Sequence, residues 1–278
     1  MKRIVTIQDI SCVGKCSLTV ALPIISAMGI ETAVIPTAVL SNHTAFKGFT
    51  FLDLTDQINP ISDQWQKEGF TFDAIYTGYM GSAEQIEIVS DFIDRFRREN
   101  TIVVVDPAMA DNGELYKGFT KEFVQSMRVL CSKADVIVPN LTEASFMLDL
   151  PFKGDDYSKD EIHKILKNLT SMGSKKSVLT GVSYDKNQLG SAAYDSASGR
   201  YYERFNKWYP VKFHGTGDIY ASAMTGALVN GMNIDEAIGL AVDYTAECVR
   251  CSIEDKEHRW YGVNFESAIP MLVKRLEA

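Results

Sequence analysis

Thr101-Ile102-Val103-Val104-Val105-Asp106 is a short β-branched run closed by a carboxylate and followed by Pro107. Segments of helical period flank it, Ala83 to Arg98 before and Gly118 to Lys133 after. A β-branched run between two helical stretches is the repeating unit of a mostly parallel sheet covered by helices on both faces. The alternation continues in both directions. Strands are predicted at Arg3 to Ile7, Thr32 to Thr37, Ala74 to Thr77, Val136 to Val138 and Lys176 to Thr180. Helices are predicted at Cys16 to Met28, Asp53 to Lys67 and Lys159 to Met172, with three more near Ile219 to Asn230, Ile234 to Ile253 and Phe265 to Leu276. Leu189 to Phe205 breaks the pattern and, with Gly190 and Ser198-Gly199, reads as an antiparallel hairpin at one sheet edge. The fold class is therefore α/β, in three layers. No linker, low-complexity tract or internal repeat is visible, so residues 1–278 read as one domain, and the charged stretch Lys153 to Glu161 reads as a solvated loop leading into a helix.

A chain of 278 residues can bury a substantial core, and 46% hydrophobic with 23% charged residues is the composition of a soluble globular protein. The 28 Lys and Arg against 36 Asp and Glu leave a net charge of -8, with the basic residues scattered, which argues against nucleic acid as a partner. Five cysteines is an odd number, and the chain passes from Met-Lys-Arg directly into a strand; a reduced cytoplasm is predicted rather than a disulfide framework. Leu18 to Ile30 is apolar but too short to span a bilayer and contains Pro23, so it reads as a buried helix and no membrane partner is expected.

The sharpest motif is Gly215-Thr216-Gly217-Asp218, directly ahead of the apolar helical run Ile219, Ala223, Ala227 and Leu228. Backbone N–H groups at such a helix start can converge on an anion, which the helix dipole also favours. The carboxylate of Asp218 would then lie near a hydroxyl attacking a phosphoryl group and could take its proton. The competing reading is a capping Asp after a glycine turn. A P-loop is excluded, because Cys16 follows Gly14-Lys15 where Ser or Thr is needed and Asp9 stands where the first glycine belongs. No G-x-G-x-x-G follows the first strand, so a dinucleotide fold is unsupported. Asp106, Asn140 and Glu143 fall at or just beyond strand ends, where ligands bind in open α/β sheets, and their oxygens suit Mg²⁺ bridging nucleotide phosphates. Each alone is equally a cap or turn residue.

Gly215-Thr216-Gly217-Asp218, together with Asn140-Leu141-Thr142-Glu143 and Asp106-Pro107, resembles the ribokinase-like kinases. Ile7-Gln8 ahead of a loop with Gly14, then Ser41-Asn42-His43-Thr44 and Thr77-Gly78-Tyr79, narrow the resemblance to the pyridoxal kinase branch. The resemblance runs in order from Ile4 to Asp255. It implies a ribokinase-like fold and ATP-dependent phosphorylation of the hydroxymethyl group of pyridoxal, pyridoxine or pyridoxamine. Asp218 would be the base and Gly215, Thr216 and Gly217 the anion hole. Asp106 and Glu143 would organise the metal, joined at the phosphates by Asn140. Thr180 with Gly181, and Asp111 in an approaching loop, would contact the nucleotide. Thr44 and Tyr79 match positions that contact the pyridine ring, with His43 beside them and Ser11 and Cys16 in the pocket loop. The resemblance further implies ATP and Mg²⁺, leaves a monovalent cation open, and suggests a homodimer.

One position departs from the pattern: many pyridoxal kinases have Ser-His after the Ile-Gln pair, whereas Asp9-Ile10 stands here. A carboxylate facing a heteroaromatic ring favours a protonated ring nitrogen or a ring amino group. That keeps the related hydroxymethylpyrimidine kinases of thiamine synthesis as an alternative. An alternative from another class, a vitamin-binding regulatory protein without catalysis, is opposed by the intact set Asp218, Gly217 and Glu143. Cys248-x-x-Cys251 lacks a second pair and reads as ordinary thiols, and Cys12 and Cys16 read first as pocket lining. His214 is uncommitted, His163 and His258 read as exposed, and Trp65, Trp208 and Trp260 as packing residues.

Overall fold

The computed structural model describes residues 1–154 and 156–276. Asp155, inside the charged stretch 153–161, and the last two residues of the span 1–278 lie outside the described residues. The strands are β1 (Arg3–Ser11), β2 (Glu31–Leu40), β3 (Phe51–Asp53), β4 (Ala74–Thr77), β5 (Ile102–Val105), β6 (Ala110–Asp111), β7 (Glu114–Leu115), β8 (Val136–Ile137), β9 (Lys176–Val182), β10 (Gln188–Asp195) and β11 (Arg200–Lys207). The helices are α1 (Leu18–Ala27), α2 (Thr55–Lys67), α3 (Ala83–Phe96), α4 (Lys121–Ser132), α5 (Leu141–Met147), α6 (Lys159–Thr170), α7 (Thr216–Val229), α8 (Ile234–Glu254) and α9 (Phe265–Leu276).

Nine strands form one sheet in the order β11-β10-β9-β8-β5-β4-β1-β2-β3. From β2 to β9 all neighbours are parallel; β3 closes one end antiparallel, and the β10–β11 hairpin closes the other. Val103, Val104 and Val105 are fully buried because both faces of β5 are covered. Alternate residues of each strand feed two cores. Helices α2 to α6 pack on one face with Val103 and Val105, and α1, α7, α8 and α9 pack on the other with Ile4, Tyr76 and Val104. Burying each such aliphatic side chain contributes about 1.5–3 kcal/mol, so the two cores clamp the sheet between them and fix where its strand ends emerge. This is the three-layer α/β arrangement expected from the alternation.

Several helix starts are set by local side chains: Ser158 with Glu161 opens α6 and Asn233 with Glu236 opens α8, each as a reciprocal capping box. β1 and β2 run several residues beyond their expected ends, to Ser11 and Leu40, since pairing resumes at Ile10 and Ser11 after an irregularity between Gln8 and Ile10. Strand β3, the β6–β7 hairpin and the seven-residue α5 were not expected; each is too short to display a period. The stretch from Lys153 to Glu161 is not wholly solvated, because Tyr157 is buried and its hydroxyl accepts the Lys153 N–H at 2.9 Å. His163 and His258 are half-buried rather than exposed. His163 stacks on Tyr201 at 3.9 Å, and its Nε2 lies 3.0 Å from Glu203.

Candidate active site

The predicted site residues gather at the carboxyl ends of the parallel strands. Asp9 and Ser11 end β1, Tyr79 follows β4, Asp106 follows β5, Asn140 follows β8, and Thr180 lies on β9. The chain runs from β1 to β2 on one side and later returns to β4 on the other, so β1 borders the topological switch point where open α/β sheets bind ligands.

Across from the strand ends stands the start of α7. Gly215 is its N-cap in the left-handed conformation (φ 84°), and Thr216, Gly217 and Asp218 form its first turn. The first N–H groups of a helix have no intrahelical acceptor, so this turn presents donors and positive dipole to the cleft. A β-carbon on Gly215 would lie 1.8 Å from the Lys15 carbonyl oxygen, so the anion loop is pressed against the 12–17 loop and only glycine fits. Ser17 links the two loops: its backbone N–H acts on the Asp218 carboxylate and its hydroxyl on that of Asp9, each favouring the ionised form. Ser17 holds φ at 51°, a strained conformation for a residue with a side chain. Although Asp218 is only half-exposed as a residue, desolvation of its carboxyl, with a smaller push from Asp9, raises its pKa to about 7 against the Ser17 hydrogen bond.

Asp106 and Glu143 form the acidic floor. Burial pushes both carboxyls up, Asp106 also through Glu143 and Asp218, while three backbone N–H groups pull Glu143 the other way. Glu143 is the capping-box residue of α5: Oε2 accepts the Asn140 N–H at 2.8 Å, and Oε1 accepts the Met109 N–H at 3.1 Å. The bland cap reading and the functional reading thus coexist in one side chain. Asn140 caps α5 in return and donates its Nδ2 to Ala110 O at 2.9 Å, tying α5 to the β6–β7 hairpin. Asp111, Asn140, Thr180 and Gly181, all predicted to meet the nucleotide, line one small cavity of about 130 Å³ together with Asn112 and Thr142. Among the described residues no group of three or more His, Cys, Asp or Glu could hold a metal alone. What the chain offers instead, two buried carboxylates with no cation beside them, fits Mg²⁺ completed by phosphates and water.

On the ring side, Asp9 is buried, with Ser11 Oγ donating to its Oδ2 at 3.0 Å. Tyr79 lies within electrostatic reach of Asp9 and stacks on Phe119 at 5.7 Å. His43 Nδ1 accepts the Ala45 N–H at 3.2 Å, so its Nε2 is the donor to Tyr261 O at 2.8 Å; burial lowers its pKa, and the ring is neutral. The thiol of Cys16 is pushed up to about 12 by burial and by Asp218 and Asp9, so it lines the pocket as a protonated thiol. Thr44 is exposed on the same loop as His43, and Cys12 is exposed as well.

Ser17 was not anticipated, although a hydroxyl residue just ahead of an apolar helix is the signal that could have found it. Two others have weaker signals. Tyr116 brings its hydroxyl into the field of Glu143, Asp106, Asp111 and Asp218. Lys212 donates to Asn112 Oδ1 at 2.7 Å, spanning from the loop before Gly215 to the rim of the nucleotide cavity. Trp260 and Phe46 pack at 4.6 Å beside His43 and His214, an aromatic rim that the scattered tryptophans did not suggest.

The chain matches the phosphomethylpyrimidine kinase family over residues 22–261. A candidate phosphomethylpyrimidine kinase from Bacteroides thetaiotaomicron VPI-5482, solved with pyridoxal, is 40% identical and superposes with a TM-score of 0.93 over 98% of this chain and 95% of that one. The pyridoxal kinase of Lactobacillus plantarum is 28% identical, with a TM-score of 0.90 over 99% and 97%. The pyridoxal kinase of Dictyostelium discoideum is 28% identical over 240 residues, 81% of this chain and 77% of that protein. With helix α7, the acidic floor and the strand order all in the places the motifs require, the chain belongs to the phosphomethylpyrimidine kinase family, in its ribokinase-like pyridoxal kinase branch.

Proposed function

We propose that this chain is an ATP-dependent kinase that phosphorylates the 5′-hydroxymethyl group of pyridoxal, pyridoxine or pyridoxamine. The observation that carries this reading is Asp218, a desolvated carboxyl with pKa about 7 in the first turn of a helix whose free N–H groups face the same cleft. Ionised, Asp218 accepts the hydroxymethyl proton as the oxygen bonds to the γ-phosphorus; the bond from that phosphorus to the β–γ bridging oxygen breaks, and its electron pair leaves with ADP. The N–H groups of the Gly215–Gly217 turn stabilise the charge spread over the transferring phosphoryl oxygens. Asp106 and Glu143 would hold Mg²⁺, which would supply positive charge against the nucleotide phosphates. Asp111, Asn140, Thr180 and Gly181 line the nucleotide end, while Asp9, Ser11, Cys16, His43, Thr44 and Tyr79 surround the ring.

The pyridoxal bound by the 40% identical Bacteroides protein, and the names of the 28% identical pyridoxal kinases, support the vitamer class. The family's name supports hydroxymethylpyrimidine as the second reading, since the same phosphate machinery serves either ring. A regulatory protein that only binds the vitamin would have no use for the base Asp218. We further propose that residues 1–278 act as one kinase domain in a reducing cytoplasm, consistent with five free thiols. A homodimer through the edge strand β3 is supported by the exposed Phe51 and Leu52 on it and Phe49 just before it. No helix among the described residues is long and apolar enough to cross a membrane.

The test is ADP release from ATP with Mg²⁺ in the presence of pyridoxal, pyridoxine, pyridoxamine or hydroxymethylpyrimidine. Turnover of at least one B6 vitamer above hydroxymethylpyrimidine is expected. Turnover of hydroxymethylpyrimidine alone would select the second reading, and ADP release with none of them would reject both.

A further inference from the structure

A buried carboxylate on the ring side of the cleft is left without a counter-charge. Asp9 is 4% exposed, and the groups that favour its ionised form are neutral: Ser11 Oγ, donating at 3.0 Å, the Ser17 hydroxyl and its own backbone N–H. Among the described residues no Lys, Arg or His forms an ion pair with it. Lys15, six residues along, is turned outward to Glu266 at 2.8 Å and Asn264 at 3.1 Å. The imidazole that does face Asp9 is His43, and both its nitrogens are engaged by backbone groups in the neutral form. Tyr79 and Cys16 complete the wall as neutral groups, and Asp218 adds a second carboxyl from α7. An ionised carboxylate enclosed in this way is costly unless it is paired. The β1–β2 register also shifts between Gln8 and Ile10, so Asp9 sits at a ladder irregularity of the kind that re-aims a side chain beside a site.

The geometry points to Asp9 as the charge partner of a protonated ring nitrogen in the substrate. This rests on the pocket being the vitamer pocket proposed above, and it defines the substrate class more closely: a hydroxymethyl-bearing heteroaromatic ring that presents an N–H⁺ to β1 while its hydroxymethyl group faces Asp218. A pyridine nitrogen carrying a proton supplies both the missing donor and the missing positive charge in one atom. A ring with C–H at that position supplies neither and leaves Asp9 buried and unpaired. The ring nitrogen is then read by a charge-assisted hydrogen bond, about twice as strong as a neutral one, rather than by shape alone.

The experiment measures direct binding, without nucleotide, of pyridoxine and of its benzene analogue, in which ring nitrogen is replaced by C–H. Both compounds are titrated into the wild-type chain and into the Asp9→Asn and Asp9→Ser variants, with thermal melting to verify that each variant is folded. The wild type is expected to bind pyridoxine about ten- to a hundredfold more tightly than the analogue, and each folded variant to lose most of that preference. Equal binding of the two compounds by the wild type overturns the assignment, whether or not the variants fold. So does an unchanged preference in either folded variant, an equal loss for both compounds, or failure of the wild type to bind either one. Because no phosphate transfer is measured, failure of the kinase reading appears separately, as absence of ADP release from a protein that still binds pyridoxine through Asp9.

Discussion

At the scale of single residues the decisive fact is that Asp218 holds its proton near neutrality. A carboxyl at its ordinary pKa of 3.8 would be a weak base, whereas one raised to about 7 accepts a proton with more driving force and is still substantially ionised at neutral pH. The acid limb of kcat/KM should therefore fall near pH 7, activity rising as Asp218 loses its proton; a profile flat through that region would remove Asp218 from the role of base. Asp218→Asn keeps the shape of the turn and removes the acceptor. Its turnover should fall by about 10²–10⁴ while ADP binding changes little, which single-turnover kinetics and ADP titration would separate. The acid itself is legible in the sequence once the Gly-Thr-Gly helix start is read together with Asp106-Pro107 and Asn140 to Glu143, since the tetrapeptide alone reads equally as a capping Asp after a glycine turn. Its raised pKa is not, since that comes from burial of the carboxyl in the folded cleft, with a smaller push from Asp9, brought from the far end of the chain by the fold.

At the scale of elements, the start of α7 and the 12–17 loop form one unit, and two glycines in it do different work. Gly215 meets the Lys15 carbonyl and has a positive φ, whereas a β-carbon on Gly217 would meet nothing within 4 Å. Gly215→Ala should destabilise the protein by at least about 1–2 kcal/mol from backbone conformation alone, and by more once the loops are forced apart. Gly217→Ala should melt within a degree or two of the wild type, because the methyl group points into the open cleft, and yet lose much of its turnover by crowding the phosphoryl position. Melting and turnover of both variants check the contrast; comparable losses of stability would mean that the turn is not shaped around an anion. Long periodic elements such as α3, α6 and α8 were legible because an apolar face or a capping box repeats in the sequence. The β6–β7 hairpin and α5 were not, since their form is set by Asn140 bridging to Ala110 and by Glu143 accepting from two loops.

At the scale of the whole molecule, parallel strands and helix α7 bring Asp9, Asp106, Glu143 and Asp218 into one cleft, where among the described residues no Lys or Arg forms an ion pair with any of them. The sequence shows four acids spread over 210 positions; only the strand order shows that they repel one another. Burial raises each above its unfolded pKa, so the folded protein binds more protons than the unfolded chain in the window between. For Asp218 that window runs from 3.8 to about 7, and for Asp106 it begins at the same lower bound. Stability associated with these acids is fully present below the lower bound and is lost as pH rises through the folded value. Carboxylates held below their ordinary range, Glu161 and Glu247 among them, act in the opposite sense at low pH, so the wild-type curve alone is a mixture. The difference between Asp106→Asn and wild type isolates the cluster, because the amide removes one charge from the cleft and leaves the surface pairs intact. The variant should melt close to the wild type at about pH 5 and above it at about pH 8, while losing activity. Adding Mg²⁺ with ADP at the higher pH should raise the wild-type melting temperature more than that of the variant, since the ligand supplies the positive charge that the cleft lacks. A melting difference that stays constant from low to high pH would show that the acidic floor is not strained, and with it would go the electrostatic case for a metal-bridged nucleotide in this cleft.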